Sequence, residues 1–173
     1  KKNIICFASI HREEFENVIQ IIKNLDLNFI EQVIIIPRHI HFSSKLKSMI
    51  KNFYLNKISI LEKFGENNIA YENSKLTFMG GSLFEHGGQN PIEPLSKGCF
   101  VLSGQYINNF SEIYEDLENL SLAKVFKEKN NEEIGSAINK YFDMELNNEG
   151  KIKDYFNLNI KQLSSIINKV EEC

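Results

Sequence analysis

At 173 residues, 42% of them hydrophobic, and with a net charge of −3, the chain has the apolar content of one folded domain and no basic excess. That balance argues against a positive field reaching for nucleic acid or an anionic membrane. No apolar run reaches the roughly 18 residues of a membrane span, and no signal-peptide pattern opens the chain.

"NIICFAS" (3–9) is a short, continuous apolar run whose length and β-branched content predict a buried strand. "EEFENVIQIIKNL" then places Phe15, Val18, Ile19, Ile22 and Leu25 at helical spacing. "QVIIIPR" repeats the strand signal, and "SSKLKSMIKNFY" repeats the helix with Leu46, Met49, Ile50 and Phe53 on one face. "KISIL", "KLTFM" and "CFVLSG" read as three further strands and "AKVF" as a short sixth. Helical patterns fall near 91–98, 110–119 and 132–142, and an amphipathic helix occupies 151–173 after a hinge-like break at 147–150.

Strands alternating with helices imply βαβ units and a mainly parallel sheet. Nearly all-apolar strands are expected where helices cover both faces. The predicted fold is therefore α/β, a Rossmann-like doubly wound sheet over residues 1–173. Cys6 and Cys99 lie in apolar runs and read as buried thiols, while Cys173 shares no metal-ligand spacing with them. The chain starts at Lys1 and opens almost directly on a strand, which reads as a piece of a longer protein.

Ligands of open parallel sheets bind beyond the carboxyl ends of the strands. That rule selects five loops: 9–14, 37–42, 62–66, 80–93 and 104–110. In "MGGSLFEHGGQNPIEP", Gly81 and Ser82 follow the fourth strand, and Gly87 and Gly88 precede Asn90. Asn90 reads as a helix N-cap with Pro91 at the first helical position and Glu93 at the third. Such a helix start can hold a phosphate. Glu93 serves as a plain capping-box partner or as an acceptor for both hydroxyls of a ribose. Neither GxGxxG nor a P-loop is present.

Pro37, Arg38 and His39 close the second strand. Arg38 can clamp a phosphate or carboxylate with its fork of donors, or lie solvated at the surface. His39 and His41 lack a further ligand at metal spacing, so His39 is expected to shape its loop. Ser9 and His11 end the first strand; no GxSxG elbow makes them a nucleophile pair. Glu13 and Glu14 match the helix dipole in the first turn. In "EKFGE", Gly65 permits a tight turn, and Phe64 packs on a base or enters the core.

Taken together, "FMGGSLFEHGGQNPIEP", "FASIHREE", "IIIPRH", "EKFGE" and "LSGQYINNFSEI" resemble, in register, the carboxyl-terminal half of the Kdo transferases. That resemblance implies a metal-independent GT-B glycosyltransferase, which moves 3-deoxy-D-manno-octulosonic acid from CMP-Kdo to the lipid A precursor of lipopolysaccharide. It implies two Rossmann-like domains at the cytoplasmic face of the bacterial inner membrane. The amino-terminal one would receive the acceptor and carry the catalytic acidic residue; the present chain would be the donor-binding half and hold no catalytic residue.

Carried over, Arg38 would contact CMP, Gly81, Ser82 and the helix start at Asn90 would hold its phosphate, and Gly88 would belong to the same donor site. Glu93 would bind ribose and the Phe64–Gly65 backbone would read cytosine. Ser9, Pro37 and His39 would line the same loops, and Asn109 the sugar end. No cofactor, metal or nucleic acid is implied. Glu13 departs from a usual glycine, Gln89 from a frequent His, and Glu62 from a common Asp. A UDP-sugar transferase or epimerase of the same architecture, and a non-catalytic nucleotide-binding module, are the competing readings.

Overall fold

A computed structural model describes residues 1–51, 56–63, 65–127, 130–144, 146 and 148–171, with side chains described as far as 161. Phe53 and Phe64, named above on sequence grounds, lie outside the described residues, as does Cys173. Six strands form one all-parallel sheet: β1 (Lys2–Ile10), β2 (Gln32–Pro37), β3 (Ile58–Ile60), β4 (Ser74–Met79), β5 (Phe100–Ser103) and β6 (Ala123–Val125). Their order across the sheet is β3-β2-β1-β4-β5-β6. Chain order reverses direction between β1 and β4, which makes their carboxyl ends the topological switch point.

Among the described residues, seven α-helices pack on it: α1 (Phe15–Lys23), α2 (Ser43–Ile50), α3 (Asn67–Asn73), α4 (Ile92–Ser96), α5 (Ser111–Asn119), α6 (Asn131–Asp143) and α7 (Glu149–Glu171). The two-residue period of β1 divides the core. Ile5 and Phe7 join one apolar cluster with α1, α2 and α6. Cys6 and Ala8 join another with α3, α5 and α7. Because each face is covered by helices, every position from Ile4 to Ala8 is apolar rather than every second one. On α1, Phe15, Val18, Ile19, Ile21 and Ile22 are buried. Each such side chain contributes roughly 1.5–3 kcal/mol relative to exposure.

Cys6 and Cys99 are buried free thiols as expected, and burial raises the pKa of both. One helix boundary differs from the sequence reading. Pro91, not Asn90, is the N-cap of α4, and Glu93 stands second in a helix of only five residues. The Asn90 side chain still serves the turn, accepting the Ile92 amide at 3.0 Å. No Glu93 carboxylate closes a capping box, because the proline places the helix start one residue later.

Candidate functional site

At the switch point, Ser9, the last residue but one of β1, has φ at +56°, and the register shifts between Ala8 and Ile10. A serine in the left-handed region is uncommon, and strain of this kind clusters at functional sites. Its carbonyl lies so close to Gly80 that a Cβ there would sit 2.7 Å from the Ser9 carbonyl carbon. The glycine lets the ends of β1 and β4 touch, and the Gly80 amide donates to Ala8 at 2.7 Å.

Beyond Gly80 the chain turns around a buried carboxylate. Glu14, with no exposed surface, accepts the amides of Gly81 at 2.8 Å, Ser82 at 3.0 Å and Leu83 at 2.9 Å. It also accepts the His11 amide at 2.9 Å. This overturns one expectation. The amides of Gly81 and Ser82 are not free for a phosphate, since a carboxylate from the chain itself already fills that concavity. The Ser82 hydroxyl is used as well: it donates to the Met79 carbonyl at 2.6 Å and accepts the Gly104 amide at 2.8 Å. The Gly88 amide closes the loop on the Gly81 carbonyl at 2.7 Å. Gly81, Ser82 and Gly88 thus shape the loop and present no free donor.

Glu14 is the residue that sequence reasoning undervalues, since its position in the first turn suggests only a helix-dipole role. Its spacing to Val18 and Ile21 puts it on the apolar stripe of α1, and a carboxylate on such a stripe demands buried donors.

Free polar groups lie one step further out. Arg38 is exposed and forms no ion pair with a described residue. Its backbone N–H donates to the Ile10 carbonyl at 2.8 Å, and its charge acts on His11. Burial, and after it the neighbouring His86, holds the His11 pKa below its ordinary value. His11 Nε2 in turn lies 3.5 Å from the Gln89 side chain. Arg38, His11, Gln89 and Asn90 therefore follow one another along a single edge. The amides of Gln89 and Asn90 donate to no described group. The Glu93 carboxylate is exposed and has no hydrogen bond or ion pair to a described residue.

Other expected residues are placed as follows. Pro37 is buried at the end of β2, opposite Ile10. His39 is exposed, and its ring stacks on His41 with centroids 5.6 Å apart. Gly65 turns its backbone at φ +83° on the exposed loop before α3. Asn109 bonds the loop after β4: its amide donates to Gly87 at 3.0 Å and its side chain to the His86 carbonyl at 3.4 Å. With Glu85, His86, Gly87, Tyr106 and Asn108 it lines an open cleft of about 500 Å³.

A six-stranded parallel sheet in this order, with its loop chemistry at the β1/β4 switch point, defines the class: a Rossmann-like, doubly wound α/β domain. Within that class, the resemblance to Kdo transferases drawn from the loop motifs is borne out by comparison. The chain is 27% identical over 172 residues to the 3-deoxy-D-manno-octulosonic acid transferase of Rickettsia bellii, covering 89% of this chain and 39% of that protein. It thus spans about two fifths of the length of this curated relative. It is 26% identical over 99% of its length to a bifunctional glycosyltransferase/methyltransferase of Fusobacterium nucleatum, covering 29% of that protein. Among solved structures, it superposes on the C-terminal CMP-Kdo binding domain of WaaA from Acinetobacter baumannii with a TM-score of 0.72. That match has 19% identity and covers 87% of this chain and 89% of the other. A glycosyltransferase from Rickettsia africae gives a TM-score of 0.65 at 19% identity, over 83% of this chain and 38% of that one. No family model matches.

Proposed function

We propose that this chain is the donor-binding half of a glycosyltransferase that transfers Kdo from CMP-Kdo to a lipid A precursor in lipopolysaccharide synthesis. The carrying observation is a pair of exposed charges without an ion-pair partner among the described residues, the Arg38 guanidinium just beyond β2 and the Glu93 carboxylate in α4 after the glycine-rich loop. In this reading the phosphate lies against Arg38 and the free amides of Gln89 and Asn90. The ribose hydroxyls donate to Glu93, and the turn at Gly65 borders the base. The Gly81–Ser82 segment acts indirectly, by holding that loop in shape through Glu14.

Breaking the bond between the anomeric carbon and the CMP phosphate places growing negative charge on the leaving phosphate. A fixed guanidinium and fixed amides stabilise that charge without reorganising. Transfer proceeds without a metal, and the catalytic acid or base and the acceptor site belong to a preceding domain. The assembled enzyme works at the cytoplasmic face of the inner membrane.

Isothermal titration of the 173-residue chain with CMP, UMP and UDP tests this. CMP binding that exceeds both, and that weakens about tenfold or more in Arg38→Ala, supports the reading. Tighter UDP binding transfers the chain to a UDP-sugar enzyme. A folded chain that binds none of the three at millimolar concentration overturns it.

A further inference from the structure

All four histidines of the chain, and both of its arginines, sit at or just beyond the carboxyl ends of β1, β2 and β4. Three of the histidine rings belong to a stacked series: His86 on His11 with centroids 4.2 Å apart, and His11 edge-on to His39 at 6.3 Å. One side of this series meets a carboxylate. His86 Nε2 lies 3.8 Å from a Glu13 carboxylate oxygen. One ligand atom from each of His11, Glu13 and His86 falls within 4.8 Å of the others, the sole such group of three among the described residues.

We propose that His11, Glu13 and His86 bind one divalent transition-metal ion of the Zn²⁺ type. Two imidazoles and a carboxylate are a donor set suited to such an ion, which holds them at about 2.0–2.2 Å with a fourth position open to water. Tetrahedral geometry at that distance brings ligand atoms to about 3.3 Å of one another, so the present spacing needs a contraction and not a new fold. The adjustment falls on the side able to make it. His86 and Glu13 are exposed, and Gly87 follows His86 in the chain. His11 is half-buried and steadied by its Gln89 neighbour, so its ring is the fixed ligand.

The stacked His11 and His86 rings are 16° from parallel. Two parallel rings cannot aim their lone pairs at one point, so coordination turns His86 out of the stack. The bound ion then ties the loop after β4 to the loop after β1, at the mouth of the donor edge. It acts as a clamp between loops and takes no part in transfer. His39 and His41, whose rings stack on each other, are not part of this group.

The test is titration of the 173-residue chain with Co²⁺, read by its visible ligand-field band, and with Zn²⁺, read by thermal shift and competition for Co²⁺. One ion per chain is expected. His86→Ala and Glu13→Gln should each weaken binding by about tenfold or more, while His41→Ala leaves it unchanged. A folded chain with neither band nor shift overturns the proposal. So does undiminished binding in His86→Ala or Glu13→Gln, or its loss in His41→Ala. None of these results bears on CMP titration, so failure here and failure of the donor-site reading are separable.

Discussion

The carboxylate of Glu14 lies 2.8 Å from the amide nitrogen of Gly81, on the neighbouring strand's loop and 67 residues away in sequence. That bond and its companions to Ser82 and Leu83 make one buried side chain the scaffold of the whole glycine-rich segment.

Glu14→Ala should therefore act on stability and on binding together. It leaves the amides of His11, Gly81, Ser82 and Leu83 without their acceptor, for a cost of about 4 kcal/mol or more at roughly 1–3 kcal/mol per orphaned donor. Glu14→Gln should lose less, since the amide oxygen still accepts while its NH₂ faces donors. Urea unfolding orders wild type, Gln and Ala in that sequence. CMP titration of the Gln variant should show weaker affinity although Glu14 touches no ligand in this reading.

Close approach and open space separate two glycines. In Gly80→Ala the new methyl meets the Ser9 backbone, which cannot rotate away, so the cost is roughly 1–3 kcal/mol and the β1/β4 junction is pushed apart. At Gly150, in the first turn of α7, an added methyl would meet nothing within 4 Å. Gly150→Ala should be neutral or stabilising by up to about 1 kcal/mol. Thermal unfolding of the two variants checks the contrast.

Glu93 should reveal itself by the sugar it recognises. If its carboxylate accepts ribose hydroxyls, wild type prefers CMP to 2′-deoxy-CMP, and Glu93→Gln shrinks that preference severalfold while leaving urea stability nearly unchanged. A preference that survives intact in the variant would return Glu93 to an ordinary exposed residue of the first turn of α4.

Alkali should unfold the chain in a way set by two buried phenols. Burial raises the pKa of Tyr114, and burial followed by neighbouring Cys6 and Glu93 raises that of Tyr71. A raised pKa means that the folded chain keeps protons the unfolded chain has released. The contribution of these two phenols is thus complete below the unfolded value of about 10 and falls as pH rises above it, adding to the decline that the buried Cys6 and Cys99 thiols begin at lower pH. Tyr114→Phe should make that decline shallower. Denaturant midpoints between about pH 9 and 11, with tyrosinate absorbance, measure the slopes.

Much of the architecture was legible in the chain. The apolar runs at β1 and β2 have no polar alternation, and only a sheet covered on both faces tolerates that. The helical spacing of Phe15, Val18 and Ile22 announces α1. Arg38 and Glu93 could be placed at the carboxyl edge because strand order and the switch-point rule locate it without any side-chain geometry. The sequence also carried the loop motifs that link this chain to its relatives.

What only the tertiary structure decided is which polar groups remain available. Gly81, Ser82 and Gly88 look like donors in sequence, but a backbone N–H is free or taken according to partners far along the chain. Glu14 reaches Gly81 and Ser82 across the β1/β4 junction, and nothing local to "GGS" announces it. The His11, Glu13 and His86 grouping arises in the same way, from two loops brought together by neighbouring parallel strands. Local periodicity reports the face a residue occupies. Hydrogen-bond satisfaction and ligand convergence depend on long-range pairing, which appears only once the sheet has closed its order.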